Sequence, residues 1–549
     1  MPTITFSLDD LSRLVGQKLT IKQVENLVEY GKGELKGYDE RIKEVNVNFD
    51  DTNLPYLWSA EGVARLIRGI LGKKIKQLNA KDSSCQVIVD KNIKTIRPYI
   101  GAFVAKGHKI DDYLIKQMIQ LQEKFCETYG RKREKVAIGV YSYSKIKFPV
   151  HYKATDPESV EFVPLEYKRK MTQQEILEAH PKGKEYAWIL KDFKKYPILA
   201  DDRGSVLSFP PIINSNESGK IEAGDQELFI EVTGTDLDAV HLAVNTFAYA
   251  FSDRGFDIYK VAVRYPDKAV KTPFSFGSRI KISREQIKGL LGIDLTDKQV
   301  KDLAEKAGYR FNNYMIEIPD YRRDIMHPVD VIEDIGIVYG YDKIKELPLV
   351  SYTIGETSSM VRFRDRVREM IVGLGFQEIM SPILNNKETL FKKMNIEESN
   401  AVEIEEYMSE TYSVVRNWLL PVMIEVLSKN AHIEYPQKVF EQGLVTVNMK
   451  GKITDYEKVA AVIADKDADF TKIKQVLDFV MKGLGAEYQI QETEHKSFIP
   501  GRVGRVSING KDVAYIGEIS PEVLSNWGIE VPVAGFELNL SELLQLSIK

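Results

Sequence analysis

An α+β protein of several domains is what the sequence predicts, on three observations. A stretch near the start recurs close to residue 280. The region between the two copies mixes strand patterns with two long helical ones. The last two hundred residues open on an amphipathic helix, RFRDRVREMIVGLG, whose apolar Val367, Met370, Ile371 and Leu374 follow helical spacing. The length agrees, since 549 residues at about 150 per domain give three or four domains.

The repeat comes first in the chain. ITFSLDDLSRLVGQKLTIKQVENLV (residues 4–28) aligns without a gap on IKISREQIKGLLGIDLTDKQVKDLA (residues 280–304), with ten of twenty-five positions identical. Leu14/Leu290, Gly16/Gly292 and the run Lys22-Gln23-Val24 against Lys298-Gln299-Val300 are among them. Each copy reads as a strand, a short helix and a second helix opened by Thr or Asp. An alternating strand follows, VNVNF from Val45 or MIEIP from Met315, then a loop and a further helix. The copies span 1–75 and 269–348, and their small helices and hairpins are compatible with winged-helix-like modules. Neither bears a dense Arg/Lys stripe.

Between them, 76–268 holds KVAIGVYSYSKI, EFVPLEY, PILADDRGSVLSFPPIINS and ELFIEVTGTD as strand patterns. DDYLIKQMIQLQEKFCETYG and DLDAVHLAVNTFAYAFSDRG read as helices. SYTIGETSSM reads as a linker into 349–549.

Composition removes several function classes. The net charge of −4 gives no overall basic field, so any nucleic-acid contact uses local patches. Two cysteines, Cys85 and Cys126, make no CxxC, so a disulfide scaffold is not expected and a reducing cytosol fits. The seven histidines form no zinc motif. MPTITFSLDDLSRL is acidic where a signal peptide is basic, and no apolar run reaches the roughly 20 residues of a membrane span. A cytoplasmic protein with no membrane partner is the expectation.

DIMHPVDVIED (residues 324–334) carries Asp324, Asp330, Glu333 and Asp334, the last three on one helix face. Like charges at that spacing repel, so something must neutralise them. Aligned across a five-residue deletion, the first copy puts Asn53, Ser59, Gly62 and Val63 opposite them, so the repeat does not need the carboxylates. Oxygen ligands with no Cys suit a hard cation such as Mg²⁺, which keeps waters or shares ligands with something else.

RRDIMHPVDVIEDIGIVYGYDKI and DDTNLPYLWSAEGVARLIRGILG closely resemble the β chain of phenylalanyl-tRNA synthetases, and HPKGKEYAWILKDFKKYPILAD and SFPPIINSNESG resemble its archaeal and eukaryotic form. The likeness runs end to end. The inserted tRNA-binding and C-terminal anticodon-binding domains of the bacterial form are not expected here. The resemblance implies that Asp324, Asp330, Glu333 and Asp334 form a Mg²⁺ site shared with the α chain. It implies two α and two β chains, with tRNA-Phe as partner and ATP and L-phenylalanine bound by α.

It also implies that 349–549 is a degenerate class II synthetase domain built on an antiparallel sheet. LGFQEIMSPIL (residues 374–384) looks like the first class II motif, a dimer contact. In KVFEQGLV the second motif lacks its ATP-clamping arginine, because Val439 stands two residues before Glu441. No third-motif GxGxxxR is present. Arg416, Arg502 and Arg505 could contact nucleic acid, though isolated basic residues are usually solvated surface.

The resemblance makes 76–268 a mixed α/β editing domain that hydrolyses Tyr-tRNA. A Phe pocket rejects an added hydroxyl by only about 100-fold, so a second site must recognise the phenol. Leu199, Ser208, Glu231 and Thr233 are expected around ring and hydroxyl, with Glu231 accepting the phenol proton's hydrogen bond. Asn214 is expected to hold the head group or the water, Glu123 the amino group and Arg133 a tRNA phosphate. No Ser-His-Asp or Cys-His arrangement is readable, so no covalent intermediate is expected. The competing reading is a freestanding aminoacyl-tRNA deacylase or nucleic-acid-binding protein.

Overall fold

The computed structural model describes residues 2–547, which fold as two compact units, Met1–Pro348 and Leu349–Lys549. In the first unit the repeat is real in three dimensions. Thr3–Ser7, Gly33–Asp39 and Glu44–Phe49 form one three-stranded sheet, and Arg279–Lys281, Arg310–Asn312 and Met315–Glu317 form another, both in the order first–third–second. The shared residues explain the shared shape. Ser7 and Ser283 cap the first helices, Leu8–Val15 and Arg284–Leu291. Gly16 and Gly292 end them in the left-handed conformation, at φ 72° and 70°. Thr20 with Gln23, and Thr296 with Gln299, close capping boxes on the second helices.

The pairing corrects the alignment beyond the identical stretch. Ile4 faces Val47 and Ile280 faces Ile316, and Ser59 and His327 are the N-caps of the third helices. Counted from those caps, Gly62, Arg65 and Leu66 stand opposite Asp330, Glu333 and Asp334. The first copy still lacks the carboxylates.

The first copy is not packed by itself. One apolar core runs from Ile4 through Trp58, Phe125 and Phe247 to Ile258, with Trp58 edge-on to Phe125. No break in packing falls near residue 75. A buried ion-pair triad crosses the same seam, where Arg254 holds Asp10 and Glu61. The second copy closes its own core around Val300, Ile316, Ile332 and Ile335.

The region between builds an eleven-stranded sheet. From one end it runs Ile213–Asn214, Val206–Phe209, Tyr196–Ala200, Val150–Thr155, Gln86–Val89, Asp257–Arg264, Tyr99–Lys106, Glu227–Gly234 and Val136–Ser142. Ala269–Thr272 pairs on Asp257–Arg264, so this sheet continues past 268. Helices Asp112–Glu127 and Leu237–Asp253 supply apolar side chains to the core beside it, and the second is buried almost all round. The sheet curls until its ends meet, since Tyr141 on the last strand reaches Ser208 and Asn214 near the first.

In the second unit a seven-stranded sheet runs Gln377–Glu378, Gln437–Met449, Lys452–Ala464, Val533–Asn539, Lys511–Ile519, Phe498–Ile508 and Gln489–Glu492. Its first pair is parallel and the others are antiparallel. Helix Ser359–Gly373 buries Val367 and Ile371, as its spacing predicts, and Phe470–Leu484 packs into the same core. Residues 351–357 carry no helix or strand and are exposed.

Candidate functional site

Where the ends of the large sheet meet, a pocket of about 360 Å³ opens. Its walls are mostly apolar, with Ile115 and Met118 from one helix, Ile138 and Val140 from the last strand, and Phe209 to Ile213 from the facing turn. This size and lining suit a small ligand. Six of the seven expected residues line it: Glu123, Arg133, Ser208, Asn214, Glu231 and Thr233. Leu199 does not. It is fully buried in the core with Tyr152, Leu207 and Phe229.

Glu231 and Thr233 share a face of the strand Glu227–Gly234. Across the ladder, Glu231 faces Gly139. A Cβ at Gly139 would stand 2.2 Å from the Tyr141 hydroxyl and 2.6 Å from Glu231 Oε1, so only glycine leaves room for both. Tyr141 was not anticipated. Its hydroxyl lies 2.8 Å from Ser208 Oγ and 2.8 Å from Glu231 Oε1, with Asn214 Oδ1 at 3.5 Å. Glu231 Oε2 is buried without a partner. Burial pushes the Glu231 carboxyl up to about 7, against the Tyr141 hydrogen bond and the Arg97 charge.

Arg97 was also missed. It is fully buried and donates from Nε to Thr233 Oγ1 at 3.0 Å and from Nη2 to the Thr233 carbonyl at 2.8 Å. Nothing in IRPYIGAF marks it, because its partners are distant in sequence.

Arg133 gives one guanidinium nitrogen, Nη1, to the carbonyls of Pro211 and Ile212 and lies over the Tyr186 ring, so it fastens the facing turn. Glu123 has no hydrogen-bond or ion-pair partner among the described residues and stays available on the wall.

No side chain here is set up for covalent catalysis. His180 Nδ1 accepts from the Lys182 amide at 3.1 Å, so Nε2 carries the proton toward the Leu165 carbonyl. Burial pushes the Cys126 thiol up to about 11.

The helix Pro328–Tyr339 carries Asp330, Glu333 and Asp334, Asp324 lies just before it, and all four acids already have partners. Arg322 bonds Asp324 at 2.7 Å and Asp334 at 3.0 Å, and the Tyr309 hydroxyl also bonds Asp334. Asp330 Oδ2 accepts the amides of Met326 and His327, both at 2.7 Å, and so closes a capping box. Glu333 meets Lys32 at 3.1 Å. Among the described residues, no group of three or more His, Cys, Asp or Glu side chains is arranged to hold a metal. In this chain by itself the set is not arranged around a cation, because a guanidinium, two backbone amides and an ammonium hold its carboxylates.

In the second unit, Arg416 is neither surface nor a nucleic-acid contact. It is 2% exposed and bonds Glu441 at 2.6 Å, with Ser381 beside both. Arg502 pairs with Glu518, and Arg505 with Asp512 while lying over Tyr515. Glu441 is spent on Arg416.

These features agree with what the chain matches. The tRNA synthetase B5 domain matches residues 280–341, and the phenylalanyl tRNA synthetase beta chain CLM domain matches 345–540. Repeat, pocket and second sheet are therefore parts of an aminoacyl-tRNA synthetase chain. The phenylalanine–tRNA ligase beta subunit of Thermococcus sibiricus is 42% identical over 551 residues, covering 98% of each chain. That of Pyrococcus horikoshii is 43% identical, covering 99% of this chain and all of its own. The crystal structure of an N-terminal fragment of the Pyrococcus horikoshii beta subunit superposes with a TM-score of 0.60 at 41% identity, over 62% of this chain and all of the fragment. The chain belongs to the family of phenylalanine–tRNA ligase β subunits. None of the described helices is long and apolar enough to cross a membrane.

Proposed function

We infer that this chain works as the β subunit of a phenylalanine–tRNA ligase, which joins L-phenylalanine to tRNA-Phe at the expense of ATP, and that it removes tyrosine from mischarged tRNA. The observation that carries the second part is Glu231 Oε2, a buried acceptor without a partner on a residue that lines a mostly apolar pocket. A phenol hydroxyl satisfies it and a phenyl ring leaves it bare, which is the basis for rejecting phenylalanine.

Hydrolysis here needs only an oriented water. The water oxygen attacks the ester carbonyl, the bond from carbonyl carbon to ribose oxygen breaks, and the proton passes to the ribose oxygen. Ser208, Cys126 and His180 are all committed or protonated, which supports a route without an acyl-enzyme. Asn214 sits by the polar end and Glu123 stays free on the wall, in keeping with roles in holding water and the amino group.

Synthesis belongs to the α chain in this reading, and two α and two β chains assemble in the cytoplasm. The Val439 and Arg416–Glu441 arrangement supports a class II-like domain without ATP chemistry. Met380, 93% exposed, and the neighbouring Ile383 and Leu384 support a face covered by a partner. Enzymes of this class use Mg²⁺ with ATP. A Mg²⁺ shared with α at Asp324, Asp330, Glu333 and Asp334 requires that Arg322 and Lys32 release their carboxylates on assembly. An unchanged tetramer and unchanged charging in Asp330→Ala/Glu333→Ala would count against that site.

The test is to assemble this chain with its α partner and measure three rates: phenylalanine charging, Tyr-tRNA hydrolysis and Phe-tRNA hydrolysis. Charging only in the mixture, with Tyr-tRNA hydrolysed faster than Phe-tRNA and Glu231→Ala abolishing that difference, is the expected result. Charging by this chain alone would overturn the division of labour. Tyr-tRNA hydrolysis without any need for α would favour the freestanding deacylase.

A further inference from the structure

The pocket recognises a hydroxyl only if its own protons point the right way, and proton bookkeeping settles which way they point. Tyr141 has one proton and two near acceptors, Glu231 Oε1 and Ser208 Oγ, both at 2.8 Å. An ionised carboxylate can only accept, so the Tyr141 proton goes to Glu231. Ser208 must then donate its own proton to the Tyr141 oxygen. That leaves Glu231 Oε2 a buried acceptor with no partner, on a residue that lines the cavity.

Two residues along the same strand face, Thr233 Oγ1 accepts from Arg97 Nε at 3.0 Å. A guanidinium never accepts, so the Thr233 proton has no use on that side and is free for the cavity. The wall therefore offers one acceptor and one donor on the same face, at the roughly 7 Å spacing of residues i and i+2. A hydroxyl that reached both would give its proton to Glu231 and receive the proton of Thr233.

We propose that Tyr141 and Arg97, neither of which touches the substrate, are the positioning residues that give this pocket its polarity for a phenol. The assignment rests on reading the pocket as an ester-hydrolysing site. Tyr141 consumes the Ser208 proton and one oxygen of Glu231. Arg97 turns Thr233 into a donor. Arg97 also has no carboxylate within ion-pair distance among the described residues, and its buried charge favours the ionised form of Glu231 against the burial that raises it. Ser208, on this accounting, orients Tyr141 and does not contact the substrate.

The experiment uses the complete α/β enzyme with Tyr141→Phe, which keeps the ring and removes the hydroxyl. Tyr-tRNA hydrolysis is expected to fall roughly 10- to 100-fold, with Phe-tRNA hydrolysis and phenylalanine charging unchanged. The pH profile gives a readout that packing alone does not move. In the wild type, hydrolysis of Tyr-tRNA loses its Glu231 acceptor as pH falls through about 7. Tyr141 favours the ionised form, so Tyr141→Phe moves this acid limb to higher pH. The other ionisable groups on the pocket wall are Glu123, Cys126, Arg133, Glu166, His180, Lys182 and Lys220, and the variant leaves all of them in place.

If Tyr141→Phe does not fold, 3-fluorotyrosine at 141 serves instead. It is a stronger donor in nearly the same volume, and it moves the limb to lower pH. Discrimination and acid limb both unchanged in a folded variant would overturn the role of Tyr141. Wild-type enzyme that hydrolyses neither ester, or both equally, would instead overturn the reading of the pocket itself.

Discussion

Arg416→Met tests whether Glu441 serves packing in place of chemistry. Both side chains are 2% exposed and lie 2.6 Å apart. Removing the guanidinium leaves a buried carboxylate held only by the amide and hydroxyl of Ser381. Breaking a buried pair costs about 3–5 kcal/mol. The two surviving donors hold the loss to the low end, about 3 kcal/mol. Each 1.4 kcal/mol is a factor of ten, so amide hydrogen exchange at Phe440 to Gln442, in the strand Gln437–Met449, should quicken by roughly 100-fold. Arg416→Met/Glu441→Gln should recover much of the protection, because it removes the stranded charge. Where the single variant is folded and assembled with α, phenylalanine charging should be retained. Exchange altered by less than about tenfold would refute the energetic argument. Lost charging with intact assembly would show that Glu441 takes part in the chemistry.

Other expectations follow from the same contacts. Gly139→Ala forces a Cβ to within 2.2 Å of the Tyr141 hydroxyl, so editing of Tyr-tRNA should drop sharply while charging persists; equal editing would mean that the wall yields freely. Leu199→Ala should cost about 2–5 kcal/mol in denaturant unfolding of the first unit with little change in the Tyr/Phe ratio of ester hydrolysis, because Leu199 lies in the core and not on the pocket. Arg254→Met should destabilise the first unit by about 3–5 kcal/mol, since Asp10 and Glu61 are buried on it, and a melting temperature within a degree of wild type would contradict this.

The sign of the Glu231 contribution to stability runs opposite to the usual carboxylate. Its folded carboxyl binds the proton more tightly than the ordinary value of 4.5. The stability this group gives is therefore full at low pH and is lost as pH rises from about 4.5 through about 7. Glu231→Gln should remove that slope between those limits, measured as the change in denaturant midpoint with pH.

The sequence by itself determined the parts that local chemistry dictates. The repeat was legible because Ser, Thr–Gln and Gly at fixed spacings are the caps of short helices, and caps act within a few residues. The helices 112–127 and 237–253 and the strand 227–234 followed from apolar periodicity in the same way. Val439 in place of an arginine needed no structure at all. Six pocket residues were reached through resemblance.

Only the tertiary structure decided how those residues are used. Tyr141 and Ser208 are 67 positions apart, and Arg97 and Thr233 are 136 apart. No periodicity relates such pairs: Tyr141 meets Ser208 because the large sheet curls until its two ends touch, and Arg97 meets Thr233 because Tyr99–Lys106 and Glu227–Gly234 pair side by side. Leu199 pairs across the ladder with Ser208 and so shares its face, and it is the packing with Tyr152 and Phe229, which no strand pattern gives, that keeps it in the core. Arg133 and Arg416 were read from the sequence as contacts for nucleic acid. Each proved to be held, because a buried or crowded guanidinium must find carbonyls or carboxylates, and folding alone determines which ones lie within reach.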